Sequence, residues 1–444
     1  EVALYVPGEE DGVFDPEDRI IFYGEKVNTL YTDVNVYWLT WGGAPGLRMA
    51  EVDGTPTGNG VPASSFRTTQ RLERNRLYQS ARPSGPDHDR WYWSAILAKS
   101  PTTAHFTTTL AAPVTGPLTA TVRGLFKSYD ATPKHHTQVF FNGQRIVDAT
   151  WATGGEYAFA VDVPASLLAG GVNTITVYAP MDMGITTDYV FVNYFEIEYD
   201  RAYMVTGDYL TFNGDAAGSW TYTVTGFTTA TVQALDITTP TLPVRILNVA
   251  VDPDGDLYTA RFEQTIERAH RYIMTTPAQF RHVLDITAVE LPDLRATSNG
   301  ADYIIITHRN FYTDVQPLAA YRAAQGLRTL VVDVQDVYDV FNAGIFDPVA
   351  IQTFLAYAYA HWSAPAPAYV LLVGDGNYDF KNYTGRGEPN YIPPFLADVD
   401  PWLGEVAADN RYVCVSGADN FPDMHLGRLP VKTRAEAQAV VNKI

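Results

Sequence analysis

The chain has 444 residues, of which 46% are hydrophobic and 18% are charged, and its formal net charge at pH 7 is −19. This composition excludes a disordered chain, and the length predicts two to four domains. The acidic balance, without any cluster of lysines and arginines, argues against a nucleic-acid partner. No apolar run is long enough to predict a transmembrane segment, and the single cysteine, Cys414, excludes an internal disulfide.

Residues 1–87 are predicted to form an N-terminal β-rich segment. Tyr31–Trp41 alternates and is rich in valine, tyrosine and tryptophan, which is typical of a strand, whereas residues 50–86 are polar and are predicted to be mostly loop. Three aspartates near the start could offer oxygen ligands to Ca²⁺, namely Asp11, Asp15 and Asp18. Their spacing is not that of an EF-hand, and a turn leading into a strand is the simpler interpretation.

Residues 88–200 carry short predicted strands separated by turn residues. Asn142-Gly143 lies between two apolar stretches and is a strong hairpin signal. The number and spacing of the strands predict a β-sandwich of jelly-roll type, a fold that often binds sugars or peptides. Three tryptophans could form a stacking platform for such a ligand, although aromatic residues in a sandwich more often belong to the core: Trp91, Trp93 and Trp151.

Residues 201–290 are predicted to form a second β-rich domain. Strands are indicated by apolar and β-branched runs at Trp220–Thr225, Leu257–Gln264 and Arg271–Thr275. Asp252–Asp256 has the composition of a calcium loop, but it lies between two strands and contains Gly255, which favours a hairpin turn. The mixed residues 289–299 are predicted to be a linker.

The hydrophobic period changes after Gly300, and residues 300–444 are predicted to form an α/β domain. Strands and helices alternate, which predicts a parallel sheet with right-handed crossovers. The predicted strands are Tyr303–Ile306, Arg328–Val334, Tyr369–Val373 and Arg411–Val415, and the predicted helices are Asp314–Gln325, one that starts after the N-cap Asp347, and one that starts near Thr433. The long loop 374–410 is predicted to be functional, because such loops are uncommon in compact domains.

Ligands of open α/β sheets bind at the carboxyl ends of the strands. Asp375 and Asp379 follow the dense apolar run Tyr369–Val373, and His308 follows another buried strand, so these three residues are candidates for a ligand-binding edge. Two other interpretations stay open, in which the carboxylates cap a turn and the histidine is structural. A nucleotide site at Gly374-Asp375-Gly376 is disfavoured, because the full glycine fingerprint and a basic partner are missing.

A second acidic group lies on both sides of the last predicted strand. It comprises Asp398, Asp400, Glu405, Asp409, Asp419 and Asp423. Carboxylates at this density could hold Ca²⁺ and order the loop, so calcium is a possible cofactor. Solvated acidity, in keeping with the overall charge, explains the same residues.

Several stretches together resemble the gingipain-type cysteine peptidases of family C25, including the larger sortase-like members associated with type IX secretion. In chain order these stretches are Ala301–His308, Leu318–Gly326, Val331–Asp339, Tyr369–Asp379 and Ala418–Pro430. The resemblance is good for residues 300–444 and less specific for the β-rich region before them. It implies a caspase-like, three-layer α/β domain, export to the medium or the bacterial cell surface, tolerance of calcium, and a Cys nucleophile paired with a His base.

In this family both dyad residues lie beyond the segment that matches Gly427-Arg428-Leu429-Pro430 and the helix after it. We therefore expect no catalytic residue within these 444 residues and an incomplete α/β domain. Cys414, the only thiol, is predicted to be a buried core residue in the middle of a strand. The implied partners are the C-terminal remainder of the catalytic domain, on the same or a cleaved chain, and a peptide or protein substrate.

Two functions from different classes follow. The first is the N-terminal part of a secreted gingipain-like cysteine endopeptidase, a hydrolase or a sortase-like transpeptidase, which is inactive without its dyad. The alternative is a non-catalytic extracellular surface or adhesion protein that binds carbohydrate or peptide on the sandwich and keeps the α/β part as a scaffold.

Overall fold

The computed structural model describes residues 1–81, 89–128, 134–152 and 154–444, so the predicted domain start at residue 88 lies outside the described residues. The chain divides into two compact units. Unit 1 comprises Glu1–Glu25, Gly42–Leu77 and Trp91–Leu284, and unit 2 comprises Lys26–Trp41, Tyr78–Arg90 and Asp285–Ile444. No helix within the described ranges is both long and apolar enough to cross a membrane.

Unit 1 contains an antiparallel β-sandwich, which confirms the predicted fold of this region. In spatial order, one sheet consists of Glu156–Pro164, Thr119–Ser128, Asp188–Arg201 and Phe66–Glu73, with Ser94–Ala98 also paired to Asp188–Arg201. The facing sheet consists of Gln144–Ala152, Lys134–Phe141, Val172–Ala179 and Thr102–Thr109. Phe126, Phe141 and Phe195 are fully buried in the core that the two sheets share. Burial of such aromatic side chains is the main driving force for this packing.

The hairpin predicted at Asn142-Gly143 is present. Both residues have positive φ angles, 48° and 86°, as the two-residue turn between right-twisted strands requires. The turn joins Lys134–Phe141 to Gln144–Ala152, which pair antiparallel with a register shift between Val139 and Phe140. Asn142 also accepts the backbone N–H of Thr174 at 2.8 Å, so the turn is tied to the neighbouring strand.

Further β-sheets complete unit 1. One has the order Tyr209–Asn213, Arg271–Thr275, Gln233–Asp236, Val244–Leu247 and Ala50–Asp53, and another has the order Ala250–Asp254, Leu257–Ile266, Gly218–Phe227 and Val61–Pro62. Leu4–Tyr5 pairs with Ile21–Phe22. The short strand Trp91–Tyr92 and the short 3₁₀ helices Glu9–Asp11, Ala165–Leu167 and Pro277–Gln279 lie between these elements, and the chain leaves unit 1 within the short strand Leu77–Tyr78. The turn predicted at Asp252–Asp256 is a hairpin, with Gly255 at φ 63°.

The prediction that residues 50–86 are mostly loop is wrong. This region contributes Phe66–Glu73, which pairs along its length with Asp188–Arg201. Its polar composition reflects the solvent face of an antiparallel sheet, where Arg67 forms ion pairs with Glu198 and Asp200 at 3.1 Å and 2.9 Å. Phe66 and Leu72 on the other face are buried.

Unit 2 is built on a parallel sheet with the order Thr329–Asp333, Tyr303–Thr307, Tyr369–Val373 and His425–Leu429. Helices Val334–Asn342 and Pro348–His361 contribute to the core on one face, and helices Gln316–Ala324 and Arg434–Val441 contribute to the core on the other. The 3₁₀ helices Arg309–Phe311 and Asp409–Val413 and the hairpin Leu396–Asp400 with Gly404–Ala407 lie in the connections. This is the predicted three-layer α/β architecture.

Two helices of unit 2 start where they were predicted to start, and a side chain caps each of them. Asp347 accepts the N–H of Val349 at 2.8 Å, and Thr433 and Glu436 form a reciprocal capping box at the last helix. Helix Val334–Asn342 was not predicted, although Asp333 caps it by accepting the N–H of Gln335 at 3.0 Å. Its first turn continues directly from a strand, so the apolar pattern shows no break there.

The strand predicted at Arg411–Val415 is wrong. Asp409–Val413 is a 3₁₀ helix that buries Tyr412 and Val413 in the core, and the edge position of the sheet belongs to His425–Leu429. Tyr412-Val-Cys-Val has the composition of a strand, but its aromatic and valine side chains are buried without sheet pairing. Composition alone does not distinguish these two kinds of burial.

The prediction of a strand at Tyr31–Trp41 is also wrong. The segment does not belong to a sheet, and side chains attach it to the rest of unit 2. The indole N–H of Trp38 donates to the carbonyl of Ala343 at 2.9 Å, and the ring of Tyr31 lies edge-on to Phe380 at 5.0 Å. Residues with high strand propensity here serve side-chain packing instead of backbone pairing.

Candidate active site

The strand order of unit 2 reverses at Tyr303–Thr307, and we refer to the carboxyl ends of the strands at this point as the crevice. Tyr303–Thr307 comes first in the sequence, and the strands that follow it, Thr329–Asp333 and Tyr369–Val373, lie on its opposite sides. Thr307 is in register with both Asp333 and Val373, so the carboxyl ends of all three strands meet there. Such a reversal of strand order is where open α/β sheets bind ligands.

His308 is the first residue after the central strand, at this reversal point. Its Nδ1 accepts the backbone N–H of Asn310 at 3.2 Å, which caps the 3₁₀ helix Arg309–Phe311. The imidazole is half-buried and lies edge-on to the ring of Tyr391 at 5.1 Å. Burial lowers the pKa of His308, against the opposing effect of Asp333. The ring is therefore neutral at pH 7, with its proton on Nε2.

The carboxylates predicted for this edge have different roles. Asp375 lies at the crevice and forms an ion pair with Lys432 at 3.4 Å. Asp379 is buried and accepts the N–H groups of Tyr383 and Thr384 at 2.7 Å and 2.8 Å, together with the hydroxyl of Thr384. Asp379 therefore stabilises the loop by capping a turn, and His308 and Asp375 are the sequence-predicted residues at the ends of the neighbouring strands.

Gly374 allows a close approach of two loop segments at the crevice. Its φ is 141°, and a Cβ atom at this position would lie 2.7 Å from the Cβ of Tyr391. The backbone of Asp375 bonds to the same segment, since its carbonyl accepts the N–H of Tyr391 at 3.0 Å. A side chain at residue 374 would displace Tyr391 and therefore the ring that contacts His308.

Arg428 fixes the long loop 374–410 to the edge strand. Its guanidinium forms an ion pair with Asp409 at 2.6 Å and donates to the carbonyls of Gly374, Ile392 and Pro393 at 2.9 Å, 2.8 Å and 3.1 Å. Sequence reasoning missed this residue. No local signal identifies it, because its strand, His425–Leu429, also contains histidine and glycine and was not predicted.

The segment around Tyr78 and Arg90 holds the hairpin of this loop within unit 2. Arg90 is buried and forms ion pairs with Glu405 at 3.1 Å and Asp398 at 3.5 Å. The hydroxyl of Tyr78 donates to Glu405 at 2.5 Å, and its ring stacks on Tyr378 at 4.3 Å. The loop that sequence reasoning predicted to be functional is thus an ordered structure held from two sides.

The predicted calcium ligands are not assembled into a cluster. Among the residues that the structure describes, no group of His, Cys, Asp or Glu side chains is arranged to hold a metal ion. Asp400, Asp419 and Asp423 accept backbone N–H groups of nearby turns, and Asp398 and Asp409 pair with arginines. Asp11 and Asp15 accept N–H groups two residues ahead, and Asp18 accepts that of Asp15. Calcium binding stays a prediction of the sequence without a geometric site.

Cys414 is not the buried mid-strand residue that was predicted. It follows the 3₁₀ helix Asp409–Val413, is partly exposed, and its Sγ donates to the carbonyl of Asn410 at 3.3 Å. Burial raises the pKa of the thiol, and Arg411 opposes that effect. A thiol held protonated as a hydrogen-bond donor is a poor nucleophile. That Cys414 is not the nucleophile stays a prediction, and the buried strand position on which it was based is wrong.

The three tryptophans of the sandwich do not form an open platform. Trp91 and Trp151 are buried, and Trp93 packs against the core edge-on to Phe106 at 4.7 Å. The indole N–H of Trp151 donates to the hydroxyl of Thr137 at 3.0 Å. The platform prediction is corrected, because aromatic residues on these strands serve the core.

A buried Ser–His–Asp chain lies in the same sandwich. His135 contacts Asp188 through Nδ1 at 2.6 Å and Ser128 through Nε2 at 2.8 Å, and its ring stacks on Trp151 at 4.2 Å. The order of donors and acceptors is that of a hydrolase triad. The side chains of His135 and Ser128 have no exposed surface, however, so this chain acts as a satisfied polar network within the core.

The neighbouring His136 forms ion pairs whose strength depends on pH. Its two ring nitrogens face carboxylates, Asp182 at 2.5 Å and Asp148 at 2.8 Å, so both must carry protons. Burial lowers the pKa of His136, but its bonds to Asp148 and Asp182 outweigh burial and raise the pKa above the usual value. Arg145 also pairs with Asp148 at 2.7 Å.

We expect the contribution of His136 to stability to fall as the pH rises. A folded-state pKa above the unfolded value gives stability that is fully present below the unfolded pKa and is lost as the pH rises through the folded pKa. Urea unfolding at a series of pH values between about 6 and 9 measures this. His136→Gln should flatten that dependence, whereas His105→Gln, at an exposed histidine that contacts Thr176, should leave it unchanged. Identical pH dependence in His136→Gln and the unmodified protein would contradict the assignment.

Comparisons with known proteins agree with this architecture. The parallel sheet with helices on both faces and a crevice at the reversal of strand order defines an α/β domain of caspase-like type. Residues 296–444 match the family model of Peptidase family C25. The resemblance to gingipain-type peptidases is therefore confirmed for this region of the chain.

Among solved structures, the chain is similar to that of dimeric latent PorU from Porphyromonas gingivalis. The TM-score is 0.60 and the sequence identity 18%, over 89% of this chain and 39% of that one. At this identity the likeness shows the fold, and the chain spans about two fifths of the PorU length. A family 35 carbohydrate binding module from Clostridium thermocellum matches at 13% identity over 29% of this chain and 97% of its own. Its TM-score of 0.17 is too low to indicate a shared fold. The search of curated proteins found no match.

Proposed function

We propose that this chain is the β-rich N-terminal part and the first part of the catalytic α/β domain of a secreted gingipain-like cysteine endopeptidase. The observation that carries the proposal is the coincidence of the C25 family match with the crevice at the strand-order reversal. The reaction is hydrolysis of a peptide bond, or sortase-like cleavage of the bond with transfer of the acyl group to another amine. The protein acts outside the cell or at the bacterial cell surface.

The reactive Cys/His dyad lies outside Glu1–Ile444 in this proposal. Cys414 is the only thiol in these residues. No imidazole within the described parts of the chain hydrogen-bonds to it, and a thiol without a base does not become the thiolate that attacks a carbonyl. In this proposal the nucleophile is therefore a cysteine in another part of the protein.

The sheet has room for further strands next to His425–Leu429. This strand pairs on one side with Tyr369–Val373. Within the described residues no strand pairs with its other side. Added parallel strands there would place further loops at the same carboxyl end of the sheet, where residues of a dyad would complete the site.

The adhesion alternative receives less support from the structure. Its proposed binding surface was the tryptophan platform, and Trp91 and Trp151 are buried. No described feature of the sandwich replaces that platform. The peptidase proposal rests on unit 2 and does not depend on the sandwich.

A labelled-casein assay tests the proposed function. Residues Glu1–Ile444 alone should release no fluorescent peptide, whereas the native protein that contains them should cleave and be blocked by iodoacetamide. Cys414→Ser in the native protein should retain full activity, because this thiol is not the nucleophile. Mass spectra of the products distinguish hydrolysis from transfer to an added amine.

Two results would contradict the proposal. The first is iodoacetamide-sensitive turnover by Glu1–Ile444 alone, which would place a nucleophile at Cys414. The second is a native protein that is folded, judged by circular dichroism, and has no thiol-dependent activity. That outcome would favour the surface protein and direct attention back to unit 1.

A further inference from the structure

The geometry of the crevice points to His308 as a substrate-positioning residue: we infer that its Nε2–H donates a hydrogen bond to a main-chain carbonyl oxygen of the bound peptide. This inference rests on the proposed peptidase function and names one contact that the protein makes with its substrate. His308 has no role in the chemical step here, because the dyad supplies the nucleophile and the base.

The position of His308 is the first argument. It follows the central strand of the sheet, and its neighbours across the sheet are the ends of Thr329–Asp333 and Tyr369–Val373. The hydroxyl of Thr307 donates to the carbonyl of Val373 at 3.3 Å and keeps these two strand ends together. A peptide that enters the crevice therefore passes this residue.

The state of the imidazole is the second argument. Nδ1 is used as an acceptor by the N–H of Asn310 at 3.2 Å, so the neutral ring carries its hydrogen on Nε2. No other hydrogen bond to this ring occurs among the described residues. The cap, the edge-on contact with Tyr391 at 5.1 Å and the tilted contact with Phe311 at 6.5 Å fix the ring plane. A fixed, half-buried donor without an acceptor is suited to a ligand.

The charges around the crevice are balanced. The carboxylate of Asp333 caps the neighbouring helix and pairs with Arg309 at 3.6 Å, and that of Asp375 pairs with Lys432 at 3.4 Å. Paired charges leave no net attraction for an ionic ligand group, so the acceptor that suits the neutral Nε2–H donor is a neutral carbonyl oxygen. Every residue of a peptide offers that acceptor.

The test compares variants of the native protein in steady-state cleavage of a fluorogenic peptide. His308→Asn keeps a side-chain acceptor for the N–H of Asn310 but withdraws the donor from the crevice, and His308→Phe removes both. We expect KM to rise about three- to ten-fold in both variants with kcat nearly unchanged, the loss expected for one neutral hydrogen bond. His308→Gln, which restores a longer donor, should recover part of the affinity.

A histidine at the amino end of another strand of the same sheet provides the matched control, because His308 lies at the carboxyl end. His425 begins the strand His425–Leu429, is exposed, and stacks on Tyr369 at 5.4 Å. His425→Asn should leave KM unchanged. Unchanged KM in folded His308→Asn would overturn the inference while leaving the peptidase function intact, and if that variant does not fold, unchanged KM in His308→Gln and His308→Phe would overturn it. Absence of thiol-dependent cleavage by the unmodified protein would instead refute the proposed function.

Discussion

Replacing Arg428 with methionine should destabilise the chain by about 3 kcal/mol or more. Methionine keeps the apolar part of the side chain but removes the guanidinium. Asp409 then loses its ion-pair partner at 2.6 Å. The carbonyls of Gly374, Ile392 and Pro393 lose their hydrogen-bond donor. Breaking a largely buried ion pair from one side costs more than the pair contributes, because the remaining charge stays desolvated. Urea unfolding of the full chain measures the loss.

The control for this substitution lies in the same loop. Arg386 is exposed, and Arg386→Met should change the free energy of unfolding by less than about 0.5 kcal/mol. Hydrogen exchange should show faster opening of Ile392 and Gly374 in Arg428→Met, since the guanidinium binds both carbonyls. The double variant Arg428→Met with Asp409→Asn should recover part of the loss by removing the unpaired charge. Equal effects of Arg428→Met and Arg386→Met would show that the guanidinium does not hold the loop.

Local sequence signals predicted those parts of the fold that depend on local chemistry. Asn142-Gly143 specified a hairpin because few residues tolerate two successive positive φ angles. Asp347 and Thr433 specified helix starts because their side chains satisfy backbone N–H groups within the first turn. His308 and Asp375 were found because a strand followed by polar residues points to a sheet edge.

Features that depend on residues far apart in the sequence were missed, because no local pattern indicates which residues will meet. The strand His425–Leu429 contains glycine and arginine, and nothing local shows that Arg428 is paired with Asp409 across the loop. Tyr412-Val-Cys-Val has the composition of a strand, yet the hydroxyl of Tyr412 donates to the carbonyl of Pro393 at 2.8 Å in a non-strand segment. The aspartates predicted to bind calcium were grouped by proximity in sequence, whereas their partners separate them in space.

Replacing Asp188 with alanine should be the most damaging polar substitution in the sandwich, at about 3 kcal/mol. The carboxylate accepts from Nδ1 of His135 at 2.6 Å, and both side chains have almost no exposed surface. Without it the imidazole N–H has no acceptor in the core, and water cannot reach it without opening the sandwich. The volume vacated next to His135, whose ring stacks on Trp151, adds a packing cost.

An exposed aspartate on the same sandwich gives the comparison for Asp188→Ala. Asp162 accepts the hydroxyl of Thr121 at 2.7 Å at the surface, and Asp162→Ala should cost less than about 0.5 kcal/mol because water replaces that contact. Near-ultraviolet circular dichroism should change in Asp188→Ala, since the ring of Trp151 stacks on His135 at 4.2 Å, and should be unchanged in Asp162→Ala. If the two variants unfold at the same urea concentration, the buried chain from Ser128 through His135 to Asp188 does not stabilise the sandwich, and its triad-like order would then call for a chemical explanation.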